Sequence, residues 1–194
     1  MVMKASRFFI STRTATLLAA LLLSALTLSA KEEVHLDFTH ITRDSPEGPA
    51  FKAYQFTYGD WGNGKVIDLK GRGALIQAPG GKGGLGENST MLKLHKTPVI
   101  DLHFVIGNNN QAGSLNFSLT DRDGTEQSWS VPLSGLAKGA DQRLRLDLTK
   151  PGSEQKPGKK PGMDLAKLSS WQVRGDWGAA AVEVLLVKVV SVKE

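Results

Sequence analysis

The 194-residue chain contains no cysteine. That excludes a disulfide framework, thiolate metal ligands, a thiol nucleophile and a lipid anchor on cysteine. Aromatic residues are few, 7% of the chain with two tyrosines and four tryptophans, so the position of each ring carries information. No apolar run approaches the ~20 residues needed to cross a bilayer; the longest, residues 15–28, has about 14. Charge of one sign is also scarce once it is located. Of the formal +5, Lys4, Arg7 and Arg13 lie in residues 1–30, which hold no acid, leaving 21 basic against 19 acidic residues in the remainder. Outside residues 150–160 the balance is 17 to 18. The totals require no polyanion-binding surface, and no nucleic-acid partner is expected. What remains, 40% hydrophobic residues and 21 glycines, is the composition of a globular protein and not of a disordered or collagenous one.

Residues 1–30 read as a secretory signal peptide, with the basic start, the apolar run and then small residues at Thr27, Ser29 and Ala30. Cleavage is expected near Ser29 or Ala30, placing the mature chain in the periplasm or outside the cell with no membrane span. Residues 31–194 are expected to form one domain held by core burial alone, and a chain of that size buries about 70% of its unfolded surface.

Period-two alternation dominates that region, the pattern of strands with one buried face. VHLDF at 34–38 places Val34, Leu36 and Phe38 on one side. ALIQA at 74–78 and MLKL at 91–94 are shorter candidates. IDLHFVI at 100–106 turns Leu102, Phe104 and Ile106 inward and Asp101 and His103 outward. SLNFSLT at 114–120 and the segment 127–133 repeat the scheme around an Asp-Gly turn at 121–124, and 143–148 alternates most cleanly. The stretch 171–174 is brief, and 182–192 is apolar on both faces. Helical signal is confined to a turn or two at 164–170, with Asp164 as its cap. The Pro- and Gly-rich segment 150–162 reads as an exposed loop. About nine strands with Gly-rich turns predict an all-β fold, an antiparallel β-sandwich of jelly-roll type.

From about residue 99 to 192 the ordered string IDLHF, LNFSLTDRDG, WSVPL, RLRLDL, DLAKL and a closing apolar strand resembles the galactose-binding-like β-sandwich domains, which include many carbohydrate-binding modules of secreted bacterial proteins. The resemblance implies a non-catalytic binding role. It also implies a structural calcium between acids near the first and last strands. Asp37 is available at the first, but Lys188 stands in the last where an acid is expected, so no metal or other cofactor is assigned.

Other motifs read as structure. GKGGLG at 81–86 has the G-x-G-x-x-G spacing of a dinucleotide loop but lacks the following helix, and is taken as a flexible surface loop. DRDG at 121–124 lacks the remaining ligands of a calcium loop and is taken as a hairpin. His35, Asp37 and His40 lie close in sequence, but the strand phase does not converge them on a zinc ion. No nucleophile elbow is present. A glycan-active hydrolase is therefore a minor alternative to a non-enzyme. Asn88 and Asn116 open glycosylation sequons, relevant in a eukaryotic source.

Sugar rings stack apolar C–H faces on aromatic rings while their hydroxyls seek polar partners. Trp129 and Trp171 alternate in phase with core residues. Trp61 and Trp177 sit in Gly-Asp-Trp-Gly turns and are the candidate open platforms, against the alternative that each folds back to close an end of the sandwich. Tyr58, Asp101, His103 and Arg174 are the candidate hydroxyl ligands, the last three within an outward polar row that also takes in Asn116, Ser118 and Gln172. The basic loop around Lys159 and Lys160 is a candidate contact for an acidic glycan or cell-wall polymer, or simply a solubilising surface. The predicted partner is a carbohydrate or surface polymer. The alternative is a structural or protein-interaction domain of an envelope or extracellular assembly.

Overall fold

The computed structural model describes residues 32–39, 55–56, 65–69, 71–87, 90 and 92–192, and its strands belong to one compact unit, Glu32–Glu194. In chain order they are β1 (Glu32–Asp37), β2 (Gln55–Phe56), β3 (Lys65–Leu69), β4 (Gly73–Ala78), β5 (Lys82–Glu87), β6 (Val99–Ile106), β7 (Ser114–Asp121), β8 (Glu126–Pro132), β9 (Asp141–Asp147), β10 (Glu154–Lys156), β11 (Leu168–Asp176) and β12 (Val182–Val192). No helix occurs among the described residues. The first sheet has the order β3-β4-β12-β6-β9, with β1 also paired to β12, and the second has the order β10-β8-β7-β11-β5-β2. Every ladder is antiparallel.

Alternation does the sorting. Successive Cβ atoms of a strand point to opposite faces, so β6 sends Leu102, Phe104 and Ile106 into the core while β7 sends Leu115, Phe117 and Leu119 and β8 sends Trp129 and Val131, all buried. Trp171 of β11 is fully buried, its ring edge-on to Phe38 at 5.8 Å between centroids. Each such side chain contributes about 1.5–3 kcal/mol on leaving water. Strand β12 buries Val184, Leu186 and Val189 on its inner face and Leu185 and Val190 on its outer face, where Glu183 and Lys188 stay half-buried.

Several expectations are corrected. In β1 the register slips between Val34 and Leu36. Such a bulge shifts the phase by one residue, so Leu36 and Phe38 are buried while Val34 is 51% exposed. The segment 81–86 is no surface loop. It enters the second sheet as β5, with Leu85 fully buried. Its glycines are required there, because a Cβ on Gly84 or Gly86 would overlap the β11 carbonyls of Val173 and Trp171. Within 150–162, exposed as expected, three residues free of proline pair with the edge of β8 as β10. Residues 92–94 are not a strand; Leu94 packs into the core, its amide donating to the Leu165 carbonyl and its carbonyl accepting from the Thr97 amide. The Asp164 carboxylate accepts from the Ala166 amide as a cap would, but only a turn follows, because β11 begins at Leu168.

Candidate functional site

The outward polar residues do not form one row. Asp101 and His103 belong to the first sheet, and Asn116, Ser118, Gln172 and Arg174 to the second, so the two sets lie on opposite outer faces of the sandwich.

On the first sheet, register aligns Lys188, His103 and Arg143 across β12, β6 and β9, with Val190, Asp101 and Arg145 in the next row. Asp101, with only 2% of its surface exposed, accepts from Arg143 (Nη2–Oδ2 2.7 Å) and from Arg145 (Nε–Oδ1 3.0 Å). Burial pushes its carboxyl up, but the bonds from Arg145 and Arg143 outweigh that and hold it below the ordinary carboxylate value. Arg143 also reaches Glu32 at 3.1 Å, and Lys188 closes on the other Glu32 oxygen at 2.8 Å. Lys188 thereby holds the Glu32 carboxyl low. His103 lies between two cations, Lys188 and Arg143. Its Nε2 is buried without a partner among the described residues, and burial, reinforced by those cations, keeps the ring neutral further into acid than usual. This face is a closed lattice of charges, and Asp101 is not open to a ligand.

The pairing of first and last strands also tests the calcium expectation. Asp37 faces Lys188 in register, and its Oδ1 accepts from both the amide and the hydroxyl of Thr39. An ammonium opposite the carboxylate does not fit a divalent cation at this pair. The bulge separates the zinc candidates too. His35 Nε2 bonds Ser191 Oγ at 2.9 Å, away from Asp37, and His40 lies outside the described residues. In the 121–124 hairpin the Asp121 carboxylate is taken by the amides of Asp123, Thr125 and Asp164, a turn-organising role.

The outer face of the second sheet is built differently. Cross-strand register sets Ser130, Asn116, Arg174 and Gly84 in one row, Glu154, Ser128, Ser118, Gln172 and Gly86 in the next, and Lys156, Glu126, Thr120 and Ser170 in a third. The first row continues from Gly84 to Phe56 of β2; on β10, β8, β7, β11 and β5 the rows hold only polar residues and glycine. Arg174 is central. It pairs with Glu126 and donates to Gln172 Oε1 at 3.2 Å and Ser128 Oγ at 3.3 Å, while Ser118 and Ser128 share a 2.7 Å hydroxyl bond. Beside it a groove of about 370 Å³ is lined by Ser114, Asn116, Ser130, Ser153, Glu154 and Asp176. Leu115 and Gly175 complete the lining. Hydroxyls, an amide and carboxylates thus meet in the groove, next to the row that carries the Arg174 guanidinium, a donor and acceptor set suited to a polyhydroxylated ligand.

The tryptophan expectation divides. Trp177 is 8% exposed and belongs to the core, so it offers no open stacking face. Its indole folds over Gly175, where a Cβ would overlap the ring, and donates to the Ser114 carbonyl at 3.2 Å. Tyr58 and Trp61 lie in residues 57–64, outside the described residues. All the aromatic side chains described are buried. The sequence reading missed Glu126, Ser128 and Ser130, although the alternation of β8 that buried Trp129 and Val131 already turned them outward.

No protein-family model matches the sequence, and no curated protein is similar to it in sequence. Solved structures match in fold. A family 11 carbohydrate-binding module of the cellulosomal cellulase Lic26A-Cel5E of Clostridium thermocellum superposes with a TM-score of 0.57 at 12% identity, covering 86% of this chain and 96% of that one. The agarase AgWH50C superposes with a TM-score of 0.56 at 12% identity over 82% of this chain, which spans 26% of the agarase. In fold, the chain is a carbohydrate-binding-module-like antiparallel β-sandwich of jelly-roll type.

Proposed function

We propose that this is an exported, non-catalytic domain that binds carbohydrate on the outer face of the second sheet. The observation that carries the reading is the set of polar rows on β8, β7 and β11 centred on Arg174, opening to the groove at Ser130 and Asp176, on a fold shared with a carbohydrate-binding module. Arg174, Gln172 and Asn116 bind ring hydroxyls, and the Ser118–Ser128 pair holds the floor level. Tyr58 and Trp61 supply the stacking rings. The export reading rests on the composition of residues 1–30. Among the described residues no helix is long and apolar enough to cross a membrane.

Affinity electrophoresis of the purified protein through gels containing single polysaccharides tests this. Retardation by at least one polymer is expected, and Arg174→Ala and Trp61→Ala each weaken it by about tenfold, the loss of one charge-assisted bond or one stacked ring. Unretarded migration on every polymer, or variants retained as well as the parent, overturns the proposal.

A further inference from the structure

The totals of charge along the chain hide how the fold distributes it. Three segments far apart in sequence are tied together at one end of the sandwich by backbone bonds. The Leu94 amide donates to Leu165 O at 2.9 Å, the Arg122 amide to Lys167 O at 2.9 Å and the Lys159 amide to Asp123 O at 3.0 Å. Thr125 Oγ1 adds a bond to Gly162 O. Lys93, Lys96, Arg122, Lys159, Lys160 and Lys167 all stand exposed there, and Lys156 adds a seventh cation at the margin of the polar face, opposite Glu126.

The acids nearby offset part of this and leave an excess of cations. Asp121 is 2% exposed and satisfied by three backbone amides. Glu126 is held by Arg174. Asp123 and Asp164 pair at 3.4 and 3.5 Å with Lys160 and Lys167. That leaves Lys93, Lys96, Arg122, Lys156 and Lys159 without an acidic partner among the described residues. The buried Asp121 carboxylate binds amides from the 121–125 turn and from Asp164, so the platform carrying these cations is set before any ligand arrives. Like charges gathered on a firm platform raise the local potential and favour a polyanion.

We infer that this end extends the sugar-binding face and that the ligand is an anionic polysaccharide, its carboxylate or sulfate groups resting against Lys93, Arg122 and Lys159 while its hydroxyls meet the rows of Arg174 and Gln172. The inference rests on the carbohydrate-binding reading and adds the charge class of the ligand. The continuity of Lys156 and Glu126 with those rows favours a polysaccharide over a nucleic acid, because the hydroxyl-binding face and the cations then serve one chain.

The test compares the purified protein in native gels holding polygalacturonate, a sulfated galactan or neutral β-glucan, and measures binding to a fluorescent DNA duplex. Retardation by polygalacturonate or by the sulfated galactan, exceeding that by β-glucan, is the expected result, and the two charged gels separate carboxylate from sulfate. The triple variant Lys93→Gln, Arg122→Gln, Lys159→Gln weakens that retardation about tenfold, as expected for three exposed charge contacts. It keeps the parent melting temperature, since the backbone bonds remain. Raising salt from about 50 to about 300 mM shortens the screening length and weakens binding of the parent more than of the variant. Equal retention on neutral and charged polymers overturns this inference and leaves carbohydrate binding standing. Retention on none overturns both. Binding to the duplex as tight as to the charged polysaccharides overturns the polysaccharide assignment.

Discussion

Both outer faces of the sandwich are polar, yet they carry their polarity to different ends. On the first sheet, Arg143, Arg145, Asp101, Glu32 and Lys188 bond one another across four strands, and the acid at their centre is sealed from water. On the second, Arg174 pairs with Glu126, and around it run hydroxyls, amides and two glycines beside a groove. A network that satisfies itself stabilises the pairing of β1, β12, β6 and β9. The second face instead sets hydroxyls, amides and a guanidinium beside a groove, a set that suits the hydroxyls of a ligand. The difference is one of connectivity more than of composition.

The largest effect is expected away from both faces, at the ring once considered a platform. Trp177→Ala removes a core indole and costs about 3–5 kcal/mol, read by urea unfolding; a variant of parental stability that loses sugar binding would return Trp177 to the ligand face. Next, Asp101→Ala leaves Arg143 and Arg145 without their shared acid. Breaking a buried pair costs about 3–5 kcal/mol, and because both arginines can turn to solvent about 2 kcal/mol is expected here, with polysaccharide retardation unchanged. Loss of retardation at parental stability would mean that the two faces are not separate in role.

Acid should act on the first face through His103, which meets Lys188 of β12, Arg143 of β9 and the carboxylates of Glu32 and Asp101. Its folded pKa is depressed, so the unfolded chain binds more protons between the two values, and stability rises with pH across that window. Stability is therefore complete above about 6.5, the ordinary imidazole value, and declines as pH falls through the lower folded value. A further loss follows as Glu32 and Asp101, also depressed, take up protons below about 4. In thermal melts against pH, His103→Asn should remove the first step and keep the second; an unchanged profile would show that the imidazole is not the group titrating. The smallest stability effect belongs to the second face. Arg174→Ala should cost no more than about 1 kcal/mol, the scale of a partly exposed ion pair, while binding falls about tenfold. A larger destabilisation would make Arg174 a structural tie like Asp101.

Much of the fold was legible because alternation is local. The phase of 100–106, 114–120 and 127–133 assigned inward and outward side chains correctly, and Asp-Gly marked the β7–β8 turn. Failures came where a distant strand decides. Val34 was placed inward because a bulge depends on the partner strand, here β12. Residues 81–86 looked like a loop because glycine is poor in strands unless a neighbouring backbone must come close, and that neighbour, β11, lies about ninety positions on. The candidate site suffered likewise. Arg174, Asn116, Ser118 and Gln172 were recognised as outward, but they were joined to Asp101 and His103, which belong to the other sheet.

The amino-acid order by itself determined which side of each ribbon meets water and that the described region is built of pleated strands, since both follow from the two-residue repeat of a strand. Folding in three dimensions was needed to show which strands share a sheet, that the Trp177 indole folds over Gly175, and that cations from three remote segments meet at one end of a region with 21 basic and 19 acidic residues. Pairing between strands is non-local, so the neighbours that close one face into a lattice and leave the other open cannot be read from any single segment.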